Sequence, residues 1–388
     1  MKQSFEVFFC LRKGFIMRDT APLRVLHVVS IMNRAGLETM LMNYYRHIDH
    51  SKIQFDFLTH REEKGDYDDE IRQLGGRIYH APAIGIRNLF LYDKEVTRFF
   101  KNHKREYQIV HSHLDALSAF PLKSAHSAGI PVRIAHSHTS NFPKDIKLPF
   151  RLLSKKMIPN YTTDYMGCSQ EANQFMFGSK GENALILPNA IDAKLFAFDP
   201  EKREMMRKKL HLENQFVVGH IGRFDTAKNQ AFVVDIFSHI HTAYPKSTLV
   251  MIGRGEKEPL VRDKVKKVGL EKDVWFLGNR GDVSDLLQSM DVFIFPSLFE
   301  GLGIVLLEAQ AAGLHCLTSA QVVPKAVQIT DLIEYISLEE NAKVWADRAL
   351  QYKTYDRRCV TEQFVKSGYD ICKQALWLQN YYFNRLKA

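Results

Sequence analysis

A run of roughly 18 consecutive apolar residues, the length a membrane-spanning helix needs, does not occur in this sequence, so no spanning segment is expected. Cysteine is scarce and scattered. Cys10, Cys168, Cys316, Cys359 and Cys372 form no close pair and no metal-ligand spacing, and reduced thiols in a cytoplasmic protein are the simplest expectation. A signal peptide is not expected, because the apolar stretch from Phe5 to Met17 is broken by Arg12 and Lys13 and no small-residue cleavage pattern follows. Residues 1–22 read as a poorly specified tail, with Met17 a candidate start. Low-complexity segments and obvious sequence repeats are absent. Neither the complete P-loop pattern nor the complete dinucleotide fingerprint is present.

The composition is that of an ordinary globular protein, 45% hydrophobic and 25% charged, and 388 residues accommodate two large domains. The net charge of +9 calls for anionic company. Nucleotide phosphates or an anionic membrane surface account for it as well as nucleic acid does, and no nucleic-acid-binding signature occurs. Nucleic acid is therefore not an expected partner.

Short, continuously apolar segments alternate with helical patterns. Strands are predicted at 23–29, 54–58, 77–79, 108–112, 132–136 and 165–168, then in a second series at 216–221, 247–252, 274–277, 292–295 and 315–317. This predicts an α/β protein with parallel sheets covered on both faces. The expected division is a first domain over 23–198, a second over 199–364, and a C-terminal helix over 365–388, rich in Trp377, Tyr381, Tyr382 and Phe383, that returns to the first.

The second series collects residues suited to phosphate. The stretch Phe295 to Ala309 reads as strand, loop and helix, with Glu300, Gly301 and Gly303 on the loop and Gly313 as the helix stop. The first N–H groups of such a helix attract an anion. Glu308 lies about two turns into the helix, so two carboxylates flank the phosphate donors, an arrangement that suits a sugar nucleotide. An ordinary turn with surface glutamates is the plainer alternative. Arg223 and Lys228, on the loop Gly222–Asn229, can embrace a diphosphate, one through a planar fork and one as a point charge, or can be solvated surface cations. Gly253 sits on a further strand-end loop suited to close backbone approach, and Arg280, after Gly278 and Asn279, can flank a base. All four loops leave the carboxyl ends of strands, where α/β sheets bind ligands.

In the first series His111 and His113 mark one strand end and His136 and His138 another, each pair on one side of its strand. A polar sugar-binding pocket is the favoured reading over a metal site, since no complementary carboxylate or cysteine pattern accompanies them. The segment 144–158 is basic and apolar together, with Lys147, Arg151 and Lys155 at helical spacing and Leu148, Leu152 and Leu153 beside them. It suits either anionic lipid headgroups or a solvated helix face.

The E-x7-E pair Glu300/Glu308 within FEGLGIVLLEAQAAG, the GRF-x3-KN loop, the PNAID junction and the HSHTS strand end resemble family 4 retaining glycosyltransferases. The similarity runs from about Val25 to about Leu338 and is strongest to bacterial capsular and exopolysaccharide transferases. It implies a GT-B fold, two Rossmann-like domains facing across a cleft, and sugar transfer from a nucleotide donor with retention. By the resemblance, Glu300 holds hydroxyls of the donor hexose and Glu308 those of the ribose. Arg223 and Lys228 neutralise the diphosphate, and the backbone N–H groups of Leu302, Gly303, Ile304 and Val305, with Gly36, complete the cradle. His138 matches the catalytic-centre histidine. No cofactor or metal is implied; a UDP-sugar is the favoured donor, a lipid-linked or oligosaccharide chain the acceptor, and the inner face of the cell membrane the location. Three departures stand out. Ala35-Gly36 replaces a double glycine, Gly303 occupies a position often proline, and Ala326 stands where relatives commonly carry an acid. A nucleotide-sugar epimerase of the same fold and a silent sugar-nucleotide-binding subunit remain the rival readings.

Overall fold

The computed structural model describes residues 21–142 and 144–387; residues 1–20, which include Cys10, Met17 and most of the expected tail, lie outside them. Thirteen strands are described, all paired in parallel. β1 (Leu23–Val28), β2 (Ile53–Thr59), β3 (Ile78–His80), β4 (Tyr107–Ser112), β5 (Val132–Ser137), β6 (Asp164–Gly167) and β7 (Leu185–Ile186) form a seven-stranded sheet in the order 3-2-1-4-5-6-7. β8 (Phe216–Ile221), β9 (Ser247–Ile252), β10 (Val274–Phe276), β11 (Val292–Phe295), β12 (His315–Ser319) and β13 (Ile333–Ile336) form a six-stranded sheet in the order 10-9-8-11-12-13. The predicted α/β class is what the structure has.

Each sheet reverses its winding once, between β1 and β4 in the first and between β8 and β11 in the second. Such switch points leave a crevice at the carboxyl ends of the strands. Continuous apolar strands are legible as parallel and doubly covered, and the central ones are buried, Ser247–Ile252 along its whole length and Phe216–Ile221 at all but its last residue. Two edge strands escape the sequence reading. β7 is two exposed residues, and β13 alternates Ile-Glu-Tyr-Ile over only four.

The helix Ile304–Ala311 is buried at all eight positions, which explains its uniformly apolar face, and Gly313 follows it as expected. Its carboxyl end is held from afar. The Arg357 guanidinium donates to the Ala312 carbonyl (3.0 Å) and to the carbonyls of Leu287 (3.2 Å), Gln288 (2.8 Å) and Met290 (3.1 Å). One cation thus serves the last carbonyls of two helices, Ile304–Ala311 and Val283–Ser289. The C-terminal helix Ile371–Lys387 lies against the first sheet's side of the molecule: Tyr381 donates to Asp164 (2.6 Å) and the Gln379 side chain accepts from the Asp49 N–H (3.1 Å).

Replacing Arg357 by Met takes the guanidinium from the Ala312 and Leu287 carbonyls and leaves those of Gln288 and Met290 to Arg203 alone, which donates to them at 3.1 and 2.7 Å. The expected loss is about 2–4 kcal/mol, read as a fall of several degrees in Tm, and Arg357→Lys recovers only part because an ammonium cannot span all four.

Candidate active site

The loops leaving the two switch points meet across a cleft. A Cβ on Gly301 would fall 2.6 Å from the His138 carbonyl oxygen, so the loop from β11 touches the end of β5 backbone to backbone, and only glycine fits. A Cβ on Gly36, after β1, would meet the Ile304 side chain at 3.9 Å. Beside them Asn279 donates to Asp66 at 3.3 Å.

Within the second sheet the β8 and β11 loops are tied to each other. The Leu298 N–H donates to the Ala227 carbonyl (2.7 Å), and Asn229 donates to the Pro296 carbonyl (3.2 Å). Lys228 is thereby placed over the Phe295 ring, 4.9 Å from its centroid, with its ammonium paired to the Glu300 carboxylate. Ser297 Oγ stands 3.4 Å from the same carboxylate. Arg223 remains largely exposed and pairs with Asp225 at 2.8 Å. Gly303 takes φ +87°, which proline cannot reach, so the backbone path of this loop excludes proline at 303. Ile304 and Val305 begin the buried helix, and their first-turn N–H groups have no intrahelical acceptor. Glu308 is its fifth residue, a little past one turn and not two.

Gly253 and Arg280 are occupied within the protein. The Gly253 N–H donates to the Gly278 carbonyl (2.9 Å), and its close approach is to the Gly222 carbonyl. Arg280 is paired with Asp282 through two bonds of 2.7 and 2.5 Å. Both lie on the cleft-side loops; the single N–H of Gly253 is taken, whereas the Arg280 guanidinium keeps N–H groups beyond the two on Asp282.

Burial sets the charge of the carboxyls. It pushes Glu308 up to about 8, with only Arg46 opposing, and Glu38 up to about 7, with Arg223 of the other sheet's loop opposing. Glu38 was not legible as a cleft residue, since its place on the helix Gly36–His47 reads as a normal first-turn acid.

The histidines come together, and a fifth joins them. His27, the fifth residue of β1, is opposite His111 of β4 in the strand register. His27 Nδ1 lies 3.0 Å from His113 Nε2, and His113 Nδ1 lies 3.0 Å from His138 Nε2. A second row places His136 Nδ1 3.1 Å from His111 Nε2, and His111 Nδ1 2.8 Å from the Tyr382 hydroxyl. Burial drives all five imidazoles down, His27 and His138 to about 3, so all are neutral near pH 7. Two trios, His27/His111/His113 and His113/His136/His138, bring one ligand atom each within 4.8 Å, with no carboxylate among them. Asp115, at φ +49°, accepts the His138 backbone N–H at 2.7 Å and fixes the strand end; burial raises it to about 6.

Residues 201–357 match the family model Glycosyl transferases group 1, a span that carries Arg223, Lys228, Glu300 and Glu308. Over 94% of the chain, the sequence is 35% identical to a Bacillus subtilis protein named as a glycosyltransferase, EpsF, 97% of which is covered. The chain belongs to the group 1 glycosyl transferases. This group 1 transferase is also 27% identical, over 78% of its length and 81% of the relative's, to the UDP-Gal:alpha-D-GlcNAc-diphosphoundecaprenol alpha-1,3-galactosyltransferase of Escherichia coli. It shares its GT-B fold with HepE of Anabaena, solved in complex with UDP and glucose, at a TM-score of 0.71 and 16% identity, covering 92% of this chain and 95% of that one. Among the described residues of the transferase, no helix is long and apolar enough to cross a membrane.

Glu308 gives a stability test with a definite sign. Its carboxyl ionises at its ordinary 4.5 in the unfolded chain and at about 8 in the fold, so between those values the folded state holds a proton the unfolded chain has released. Stability therefore falls as pH rises through that window. Glu308→Gln, neutral throughout, is expected to match the parent Tm near pH 4.5 and to exceed it increasingly toward pH 8, as read by thermal melts across the range.

Proposed function

We propose that this group 1 transferase moves a hexosyl or N-acetylhexosaminyl group from a nucleoside-diphosphate sugar, a UDP-sugar by preference, to a lipid-linked or oligosaccharide acceptor, with retention of configuration, in cell-surface polysaccharide synthesis. The observation that carries the reading is the Lys228–Glu300 pair, set before the first turn of the helix Ile304–Ala311 and pressed, through Gly301, against the strand end of His138. In this reading Glu300 accepts hydrogen bonds from hydroxyls of the donor sugar. Lys228 and Arg223 turn to the diphosphate, whose charge grows as it leaves, and the N–H groups of Leu302 to Val305, with the Gly36 loop opposite, meet its oxygens. Glu308, protonated by burial, donates to a ribose oxygen where an ionised acid would repel the neighbouring phosphates. His138 lies beside the anomeric carbon. No metal or cofactor has a part in this scheme. The donor class also draws on the relatives, one named for UDP-galactose and one solved with UDP and glucose.

The acceptor end faces the first sheet. There the helix Leu148–Met157 exposes Leu152 and Leu153, and Ile146 just ahead of it is 96% exposed, beside exposed Lys144, Lys147 and Lys156. Of the three basic residues at helical spacing, two have partners in the fold: Arg151 pairs with Asp145, and Lys155 sits 4.4 Å from the Phe175 ring. In this reading Lys147 and its neighbours meet an anionic bilayer surface, which supports a position for the transferase at the cytoplasmic face of the membrane.

Purified enzyme screened against nucleotide sugars and lipid-diphosphate acceptors is expected to release nucleoside diphosphate and extend the acceptor, as read by mass spectrometry. Glu300→Ala and Lys228→Ala are each expected to lose about 100-fold or more in kcat with unchanged circular dichroism; rates near the parent's would overturn the assignment. In flotation assays the enzyme is expected to bind vesicles rich in phosphatidylglycerol and not those of phosphatidylcholine. The double change Ile146→Asp, Lys147→Glu should abolish that binding while activity on a soluble acceptor persists.

A further inference from the structure

The row His27–His113–His138 has a direction, and its far end sets it. A neutral imidazole carries one N–H and one bare nitrogen, so two successive bonds of 3.0 Å run head to tail, with both protons pointing toward His138 or both away. His27 Nε2, the outer end, is buried without a partner. A proton there would be an orphaned buried donor, which folded proteins avoid more strictly than an orphaned acceptor. The bare nitrogen therefore falls at His27 Nε2. His27 donates from Nδ1 to His113, His113 donates from Nδ1 to His138 Nε2, and His138 is left with its proton on Nδ1. The neighbouring row obeys the same rule: His136 Nε2 is the orphan, and the bonds run outward to the Tyr382 hydroxyl.

We propose that His27 and His113 are positioning residues that hold His138 as the Nδ1–H tautomer, so that it presents a neutral hydrogen-bond donor, and not a base, to an oxygen of the donor substrate. The proposal rests on the reading of His138 as a reaction-centre residue. Geometry supports it twice more. The Asp115 carboxylate fixes the His138 backbone independently of the ring, and the ring's hydrogen bond within the protein is to His113. The rings are also stacked face to face, with His136 and His138 centroids 4.1 Å apart and those of His111 and His113 4.2 Å apart, which opposes a ring flip that would put carbons where the bonded nitrogens are. Burial that keeps every ring neutral removes the doubly protonated form in which both nitrogens donate.

The full chain labelled with ¹⁵N-histidine reports the tautomers directly through long-range ¹H–¹⁵N correlations, with the His138 signal assigned from His138→Asn. The expected pattern near neutral pH is Nδ1–H for His27, His113 and His138. In His113→Phe and in His27→Phe the His138 ring is expected to show a mixture of tautomers. In transfer assays the His113→Phe variant is expected to lose about tenfold or more in kcat, with the donor KM within about threefold of the parent. His113→Gln, whose amide accepts on one side and donates on the other, should restore most of both readouts. An Nε2–H His138 in the parent, a tautomer indifferent to both Phe variants, or stoichiometric binding of added zinc by these rings would overturn the proposal. The spectra answer whether or not sugar transfer is observed, so failure of the tautomer proposal and failure of the functional reading are told apart.

Discussion

The contact between Gly301 and the His138 carbonyl is the constraint on which the cleft depends. Any side chain at 301 would collide with that carbonyl, so the β11 loop closes on the β5 strand end with no padding between them. Both segments belong to the crevice side of their sheets, the place where reversal of winding leaves room for a ligand. Glu300 is therefore delivered to the first domain's histidines by backbone geometry and not by the flexibility of a long side chain. The approach of Gly36 to Ile304 and of Asp66 to Asn279 follows from the same register. Arg357 holds the far end of the site helix through the Ala312 carbonyl.

Charge in the cleft is managed by pairing and by burial. Lys228 with Glu300, Arg223 with Asp225 and Arg280 with Asp282 are each balanced locally. Glu38 and Glu308, which would be anions in water, are pushed to about 7 and about 8 by burial, and the five imidazoles are held neutral. What remains is the positive end of a buried helix, a dipole that favours an incoming phosphate without the desolvation that an unpaired buried cation would require. In the proposed scheme a diphosphate competes with carboxylates for cations already in place, and the exchange is close to neutral in the number of charge pairs.

The sequence made the sheets legible because buried parallel strands are short, apolar and β-branched, and it made the four cleft loops legible because each follows such a strand. Pairing within the cleft was not legible. That Lys228 meets Glu300 follows from β8 and β11 being neighbours, and strand order is not encoded in any local spacing. His27 was hidden for the same reason: it sits among the apolar residues of β1, and only the register of β1 on β4 puts it opposite His111. Asp115 carried a faint signal, an acid directly after a histidine-rich strand end. Gly253 shows the converse, since a residue of the right type at the right strand end already spends its N–H within the fold.

The C-terminal helix gives the histidine rows a second anchor. Tyr382 touches His111, and Tyr381 and Arg385 both bond Asp164 at the start of β6, so the last helix grips the sheet whose strand ends carry the imidazoles. The chain passes near Ile191 on its way to the second sheet and near Asp370 on its return, and a parallel bridge between these residues pins the two passages together. Across the cleft the two halves touch at Gly301 and His138, at Gly36 and Ile304, and at Asn279 and Asp66. Every member of both imidazole rows, Tyr382 included, lies on the first sheet's side of these contacts. The order of the hydrogen-bonded rings therefore rests on the first sheet and the C-terminal helix, and not on the loop from β11.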